Sequence, residues 1–134
     1  MVAETIYCHH GEHESFCVFC YYEGKAALWE KAGEGAARII AERGRQKSVE
    51  GWTPEHDAQH DDGSLAIVAA CYALNKMPDY EDYWYAETCE WWPWHPNWDK
   101  REKHDRERSL EIAGALIAAE LDRLAELRRE AKEG

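Results

Sequence analysis

The sequence predicts a mainly α fold, a single helical domain with an aromatic-rich irregular loop and a small Cys/His N-terminal segment of zinc-ribbon type. Three observations carry this. Apolar residues recur at 3- and 4-residue steps across 25–49 and 100–132, the period of a helical face. Helix-start and helix-stop residues punctuate the middle of the chain, at Thr53-Pro54-Glu55, Asp61-Asp62-Gly63-Ser64 and Pro78. The length, 134 residues with 45% hydrophobic, suits one core and leaves no room for two.

Taken in order, residues 1–24 form the Cys/His-rich segment and 25–134 the helical domain. The first helix is expected from Lys25 to about Val49, with Leu28, Ala32, Ile39 and Arg43 on one side and Trp29, Ala36 and Ile40 beside them. Gly33 and Gly35 weaken it by about 1 kcal/mol each relative to alanine. Thr53 then serves as N-cap with Pro54 at the first helical position. That helix is short, because residues 61–64 break it and Ser64 or Asp62 caps another from Leu65 to about Lys76. Residues 79–99 hold Tyr80, Tyr83, Trp84, Tyr85, Trp91, Trp92, Trp94 and Trp98. Pro93 and Pro96 forbid a continuous helix there, so an ordered loop is expected. The last helix, about 100–132, is expected to turn Leu110, Ala113, Ile117, Leu121, Leu124 and Leu127 inward. Arg128, Arg129 and Lys132 suit the negative end of its dipole.

Charge narrows the function. Sixteen Lys and Arg face 27 acids, a formal charge of -11, which disfavours general nucleic-acid binding and anionic membranes. No apolar run approaches the roughly 20 residues of a bilayer span. A basic segment followed by an apolar one is missing after Met1, so a cytoplasmic location is expected. Five cysteines, an odd count, point to a reducing compartment, with metal or free thiols before disulfides.

Cys17-x-x-Cys20 is a half-site for zinc, and tetrahedral zinc needs two further ligands. Cys8 is placed to be the third and His10 or His13 the fourth, with His9 a weaker choice. A segment so poor in aliphatic residues gains its fold energy from a structural metal. The plain alternative is free thiols and solvated histidines. A redox pair lacks the surrounding βαβ pattern. Cys71, among alanines, reads as a small buried hydrophobe.

Glu55-His56-Asp57-Ala58-Gln59-His60-Asp61-Asp62 sets His56 and His60 four apart on one helical face. Such a pair can hold a divalent metal or place a base beside an electrophile, yet the glutamate that zinc peptidases carry after the first histidine is absent. Capping and loop locking explain the same residues. The aromatic stretch is likewise open between core filler, a recognition pocket and an interface. Its own acids, Asp79, Glu81, Asp82, Glu87 and Glu90, argue against a phosphate inside it. Any phosphate would meet Arg43, Arg45, Lys47, Arg101 or Arg106 on the flanks.

Glu42-Arg43-x-Arg45-Gln46, Glu50-Gly51-Trp52-Thr53-Pro54-Glu55-His56-Asp57, His60, Gly63-x-Leu65-Ala66, Tyr72-Ala73, Trp92-Pro93-Trp94, Trp98 and Ala113-Gly114-Ala115-Leu116-Ile117 together resemble a group of small bacteriophage and prophage proteins. The resemblance covers about two thirds of the chain. It implies a viral or prophage-encoded accessory protein, acting in the host cytoplasm if viral, and no particular reaction. A more distant likeness is to the ryanodine-receptor repeat, through Glu42-Arg43, Gly51-Trp52 and Asp61-Asp62. That likeness implies a helical module with a nucleotide-like ligand, though the Trp-rich loop and the Cys/His segment depart from it.

Three functions follow as expectations. The leading one is a non-enzymatic binding protein for a small nucleotide-like ligand. Trp52, Trp92, Trp94 and Trp98 would line its pocket, His56, Asp57 and His60 would supply polar contacts, and Arg43 or Arg45 would neutralise a phosphate. The alternative is an acidic, tryptophan-rich interaction or inhibitor module that occupies a host protein through Trp91 and Trp92. The third is a metal-dependent hydrolase using His56, Asp57, His60 and Asp61. A homodimer through the C-terminal helix is a further expectation.

Overall fold

The computed structural model describes residues 18–133. The chain divides into two compact units after Ala37, and each is described by itself. The first helix, α1, spans Val18–Ser48 and is broken at Gly33 (φ 81, ψ -177), a conformation open to glycine alone without strain. No close backbone explains Gly33 or Gly35, since a Cβ at either would meet nothing within 4 Å. In the first unit, residues 18–24, expected to belong to the Cys/His segment, are the opening turns of α1. No strand occurs among the described residues, so nothing there resembles a zinc ribbon. Cys8, His9, His10, His13 and Cys17 lie outside the described residues, and Cys20 sits in the first turn of α1.

The second unit contains the end of α1, then α2 (Pro54–Ala58), α3 (Ser64–Leu74), α4 (Glu81–Cys89) and α5 (Arg106–Glu133), with 3-10 turns at Pro96–Trp98 and Arg101–Lys103. Thr53 caps α2 as expected, its hydroxyl accepting from the His56 N–H with Pro54 in the first turn. Gly63 turns the chain with φ 83 into α3, and Asp62 Oδ1 accepts from the Ser64 N–H at 3.0 Å. Beyond α3, Lys76 and Asp79 take positive φ (53° and 66°), which ends the helix ahead of α4.

Residues 79–99 are not all loop. Pro93 and Pro96 constrain only their own neighbourhood, and Glu81–Cys89, which contains no proline, closes into α4. The irregular aromatic stretch therefore begins at Glu90.

The core is the α3–α5 seam. Leu65, Val68, Ala69 and Tyr72 pack on Ile112, Ala113, Leu116 and Ala119, with Trp52, Ala73, Trp92 and Trp94 laid against that cluster. Alanines on both helices allow close approach. The rotation of α5 differs from the expected one. Leu110, Ile117, Leu121, Leu124 and Leu127 are exposed, between 42% and 61%, and only Ala113 of the expected set is buried. Polar anchors decide this. Asn75 Nδ2 donates to Ser109 Oγ at 2.8 Å inside the core, while Arg38 reaches Glu111 at 2.6 Å and Arg108 reaches Glu42 at 2.5 Å. Spacing alone could not separate the stripe Ser109–Ile112–Leu116–Ala119 from the opposite one. Where α1 crosses α5, a Cβ on Gly114 would fall 2.5 Å from Ile39 Cδ1, so the glycine sets the contact distance.

Candidate functional site

α2 and the turn after it present two imidazoles toward the aromatic stretch. Trp52 stacks on His56 (centroids 5.9 Å, 3° between planes), His56 meets His60 edge-on at 5.0 Å, and His60 tilts against Trp94 at 4.9 Å. Trp94 in turn meets Trp92 at 6.0 Å, and Trp92 meets Tyr72 of the core at 6.1 Å. One row of rings thus runs from the surface into the hydrophobic centre. Its outer part walls a cleft of about 280 Å³ lined by Trp52, His56, His60, Trp94, His95 and Trp98. The aromatics act both as filler and as lining, because Trp52 and Trp94 pack against the core cluster and also line the cleft.

The structure brings together five of the expected pocket residues, Trp52, His56, His60, Trp94 and Trp98, and adds His95. Nothing but its place between Trp94 and Pro96 marked His95 in the sequence. Its Nδ1 accepts from the Asn97 N–H at 3.1 Å, opening the Pro96–Trp98 turn. Trp92 stands behind the wall, donating from Nε1 to the His95 carbonyl at 3.3 Å.

Three further expected contacts are elsewhere. Asp57 is buried outside the aromatic cleft, beside a second one that it lines with Arg43, Lys47 and Asp122, and accepts from Arg43 Nη2 at 2.7 Å. Arg43 is itself buried and also reaches Asp122 at 3.4 Å. Arg45 is held by Glu42 and Glu50 at 2.9 and 2.8 Å. Neither arginine lines the aromatic cleft, so the expected phosphate contact is not formed there. Of the other flanking cations, Arg101 is fully buried and Arg106 donates to the Ala73 and Asn75 carbonyls at the end of α3.

Arg101 supports the cleft from behind. Its guanidinium grips Asp99 through two bonds of 2.9 and 2.7 Å, donates to Thr88 Oγ1, and lies 4.6 Å from the Tyr85 ring and 5.2 Å from the Trp92 ring. Its carbonyl accepts from Asn75 Nδ2 at 2.9 Å. One residue thereby ties α4 and the Trp92 wall, through its side chain, to the end of α3, through its carbonyl.

Burial, helped by the neighbouring His56, lowers the His60 pKa below its ordinary 6.5, against the opposing pull of Asp62 and Asp57. Burial and the Lys103 and Arg108 charges lower His104 likewise. Ser64 Oγ lies 3.4 Å from His60 Nδ1, a hydrogen bond that a neutral ring can accept. The folded chain therefore binds these protons less readily than the unfolded chain, and stability falls with pH once the unfolded histidines begin to charge. Thermal melts are expected to be flat above about pH 7.5 and to drop from about pH 6.5 downward. His60→Gln should remove part of that slope; an identical slope in the variant would refute the assignment. A second loss is expected in more acidic solution. Burial would raise Glu42 and Glu111, but hydrogen bonds from Arg45 and Arg108, and from Arg38 and Arg108, outweigh it and hold both below 4.5.

No family model, curated protein or solved structure matches the chain. The site is therefore read from its own geometry. Among the described residues no group of three or more His, Cys, Asp or Glu could hold a metal ion. His56 and His60 lean on tryptophans, and Asp57 is taken by Arg43, so the hydrolase set His56, Asp57, His60 and Asp61 does not converge. Cys71 is buried, as expected, and Cys89 is exposed. No described helix is long and apolar enough to cross a membrane.

Proposed function

We propose that this protein is a non-catalytic receptor for a small nucleotide-like ligand, whose flat heterocycle enters the cleft between Trp52, Trp94 and Trp98. The observation that carries the reading is an apolar, tryptophan-walled cleft carrying three imidazoles, His56, His60 and His95, and no side chain with a permanent charge. Indole faces stack on any base, and ring nitrogens of the histidines can hydrogen-bond to a base edge. At about 280 Å³ the space lies at the small end of ligand pockets, a fit for a base or nucleoside. Arg43 and Arg45 are occupied by carboxylates, so recognition rests on the heterocycle and any phosphate stays in solvent. The likeness to phage and prophage proteins supports an accessory role in a host cell, such as sequestering a nucleotide signal. A structural zinc on Cys8, Cys17 and Cys20 with His10 or His13 is a separate proposal, tested by metal analysis of the purified chain.

Titration with adenine, adenosine, AMP and ATP, and with their guanine and uracil counterparts, tests the reading through tryptophan fluorescence and thermal shift. At least one base family should bind, and added phosphates should not tighten it. Trp98, 61% exposed, can be removed without touching the core. Trp98→Ala is expected to weaken binding about 5- to 100-fold, the worth of one stacked base, with an unchanged melting temperature. No response to any base would sink the proposal. It would leave the host-protein module, for which the exposed Trp91 beside Ala66, Ile67 and Ala70 supplies an apolar patch and Trp91→Ala the test.

A further inference from the structure

α5 carries two apolar stripes on opposite sides, and the core uses one. The other runs Leu110, Ile117, Leu121, Leu124, Arg128 and Ala131, in alternating steps of 4 and 3 residues once Gly114, whose place in the series is taken by Ile39 of α1, is counted. That is the a/d repeat of a coiled coil, and its large members Leu110, Ile117, Leu121 and Leu124 are all exposed. A surface helix of a monomer has no use for such a seam; exposed apolar stripes of this extent mark contact surfaces.

We propose that this stripe pairs with the same stripe of a second copy, antiparallel, about a two-fold axis near Ala119. The spacing is self-complementary in that direction. With the axis at 119, Ile117 meets Leu121 of the second copy, Leu110 meets Arg128, and Leu124 falls at the level of Gly114 and the Ile39 side chain packed on it, each an a position against a d position. A two-fold axis requires this reciprocity, residue i on j and j on i. Charge points the same way. The start of the stripe is flanked by Glu107, whose side chain is 73% exposed, and its end by Arg128 and Lys132. Antiparallel pairing sets Arg128 beside Leu110 of the other copy, within a turn of Glu107. Parallel pairing would set Arg128 on Arg128. The aromatic cleft is built from other elements, so pairing and ligand binding stand or fall separately.

Sedimentation velocity of the full chain from 1 to 200 μM is the test. A concentration-dependent dimer is expected, and Leu121→Glu should raise its dissociation constant at least tenfold with helicity and melting of the monomer unchanged, because the side chain lies outside the core. Arg128→Glu should also weaken it, by facing Glu107, and Glu107→Arg with Arg128→Glu should restore it. A monomer throughout the range would overturn the proposal. So would a dimer indifferent to Leu121→Glu, and failure of the double charge exchange would overturn the antiparallel arrangement.

Discussion

Arg101→Ala is expected to lower stability by about 3–5 kcal/mol, the usual cost of removing one partner from a buried ion pair. The side chain is fully buried, and Asp99, its partner, is largely so. Without the guanidinium, Asp99 keeps a charge in a site that water barely reaches, Thr88 loses a donor, and Tyr85 and Trp92 lose the planar cation between them. In a domain of this size each kcal/mol moves the melting temperature by about 4–8 °C, so a fall of more than about 10 °C should be seen. Arg101→Lys should recover little, because an ammonium cannot span Asp99 and Thr88 with the same fork. Since Trp92 braces Trp94, the variant should also lose ligand affinity at temperatures where it remains folded. A melting temperature within 3 °C of the parent would show that Arg101 does not hold this region together.

Asp57→Ala is expected to cost a similar amount, about 3–5 kcal/mol, for a different reason. Arg43 already has Nε and Nη1 buried with no partner among the described residues, and Asp57 is its main counter-charge. Removing the carboxylate leaves Arg43 with only Asp122, whose side chain is 62% exposed. Thermal or urea unfolding should show the loss, and a drop below 1 kcal/mol would contradict it. The double variant Arg43→Leu with Asp57→Leu separates structure from recognition. Replacing both charges by apolar groups removes the orphan and should restore much of the stability. Because neither residue lines the aromatic cleft, the double variant should bind base ligands as the parent does. A large loss of affinity there would return Asp57 and Arg43 to the ligand site.

Legibility in the sequence followed the range of the interactions. Caps and turns are local, so Thr53-Pro54, Asp62 and Gly63 were readable where they stand: a hydroxyl, a carboxylate or a missing Cβ acts within three residues. The ring cluster was readable in part for the same reason, since Trp52, His56 and His60 share one short turn. That Trp94 and Trp98 complete it depends on chain return across residues 61–93, and no spacing encodes that. The extent of α4 is not legible from Pro93 and Pro96, because a proline restricts only its immediate neighbours and Glu81–Cys89 ends four residues before the first of them.

Amino-acid sequence alone determined that the chain is helical, where α2 and α3 begin, that tryptophan and histidine concentrate beside one another, and that acids outnumber bases. These depend on backbone preferences and on the types of side chain present. Tertiary structure alone decided which side of α5 faces inward, that Arg43 and Asp57 neutralise each other outside the aromatic cleft, and that Arg101 serves as an internal brace. Each of those is a choice between chemically equivalent partners: two apolar stripes on one helix, many carboxylates for each guanidinium. Packing density and the cost of a buried unpaired charge select among them, and both act only once distant segments have met.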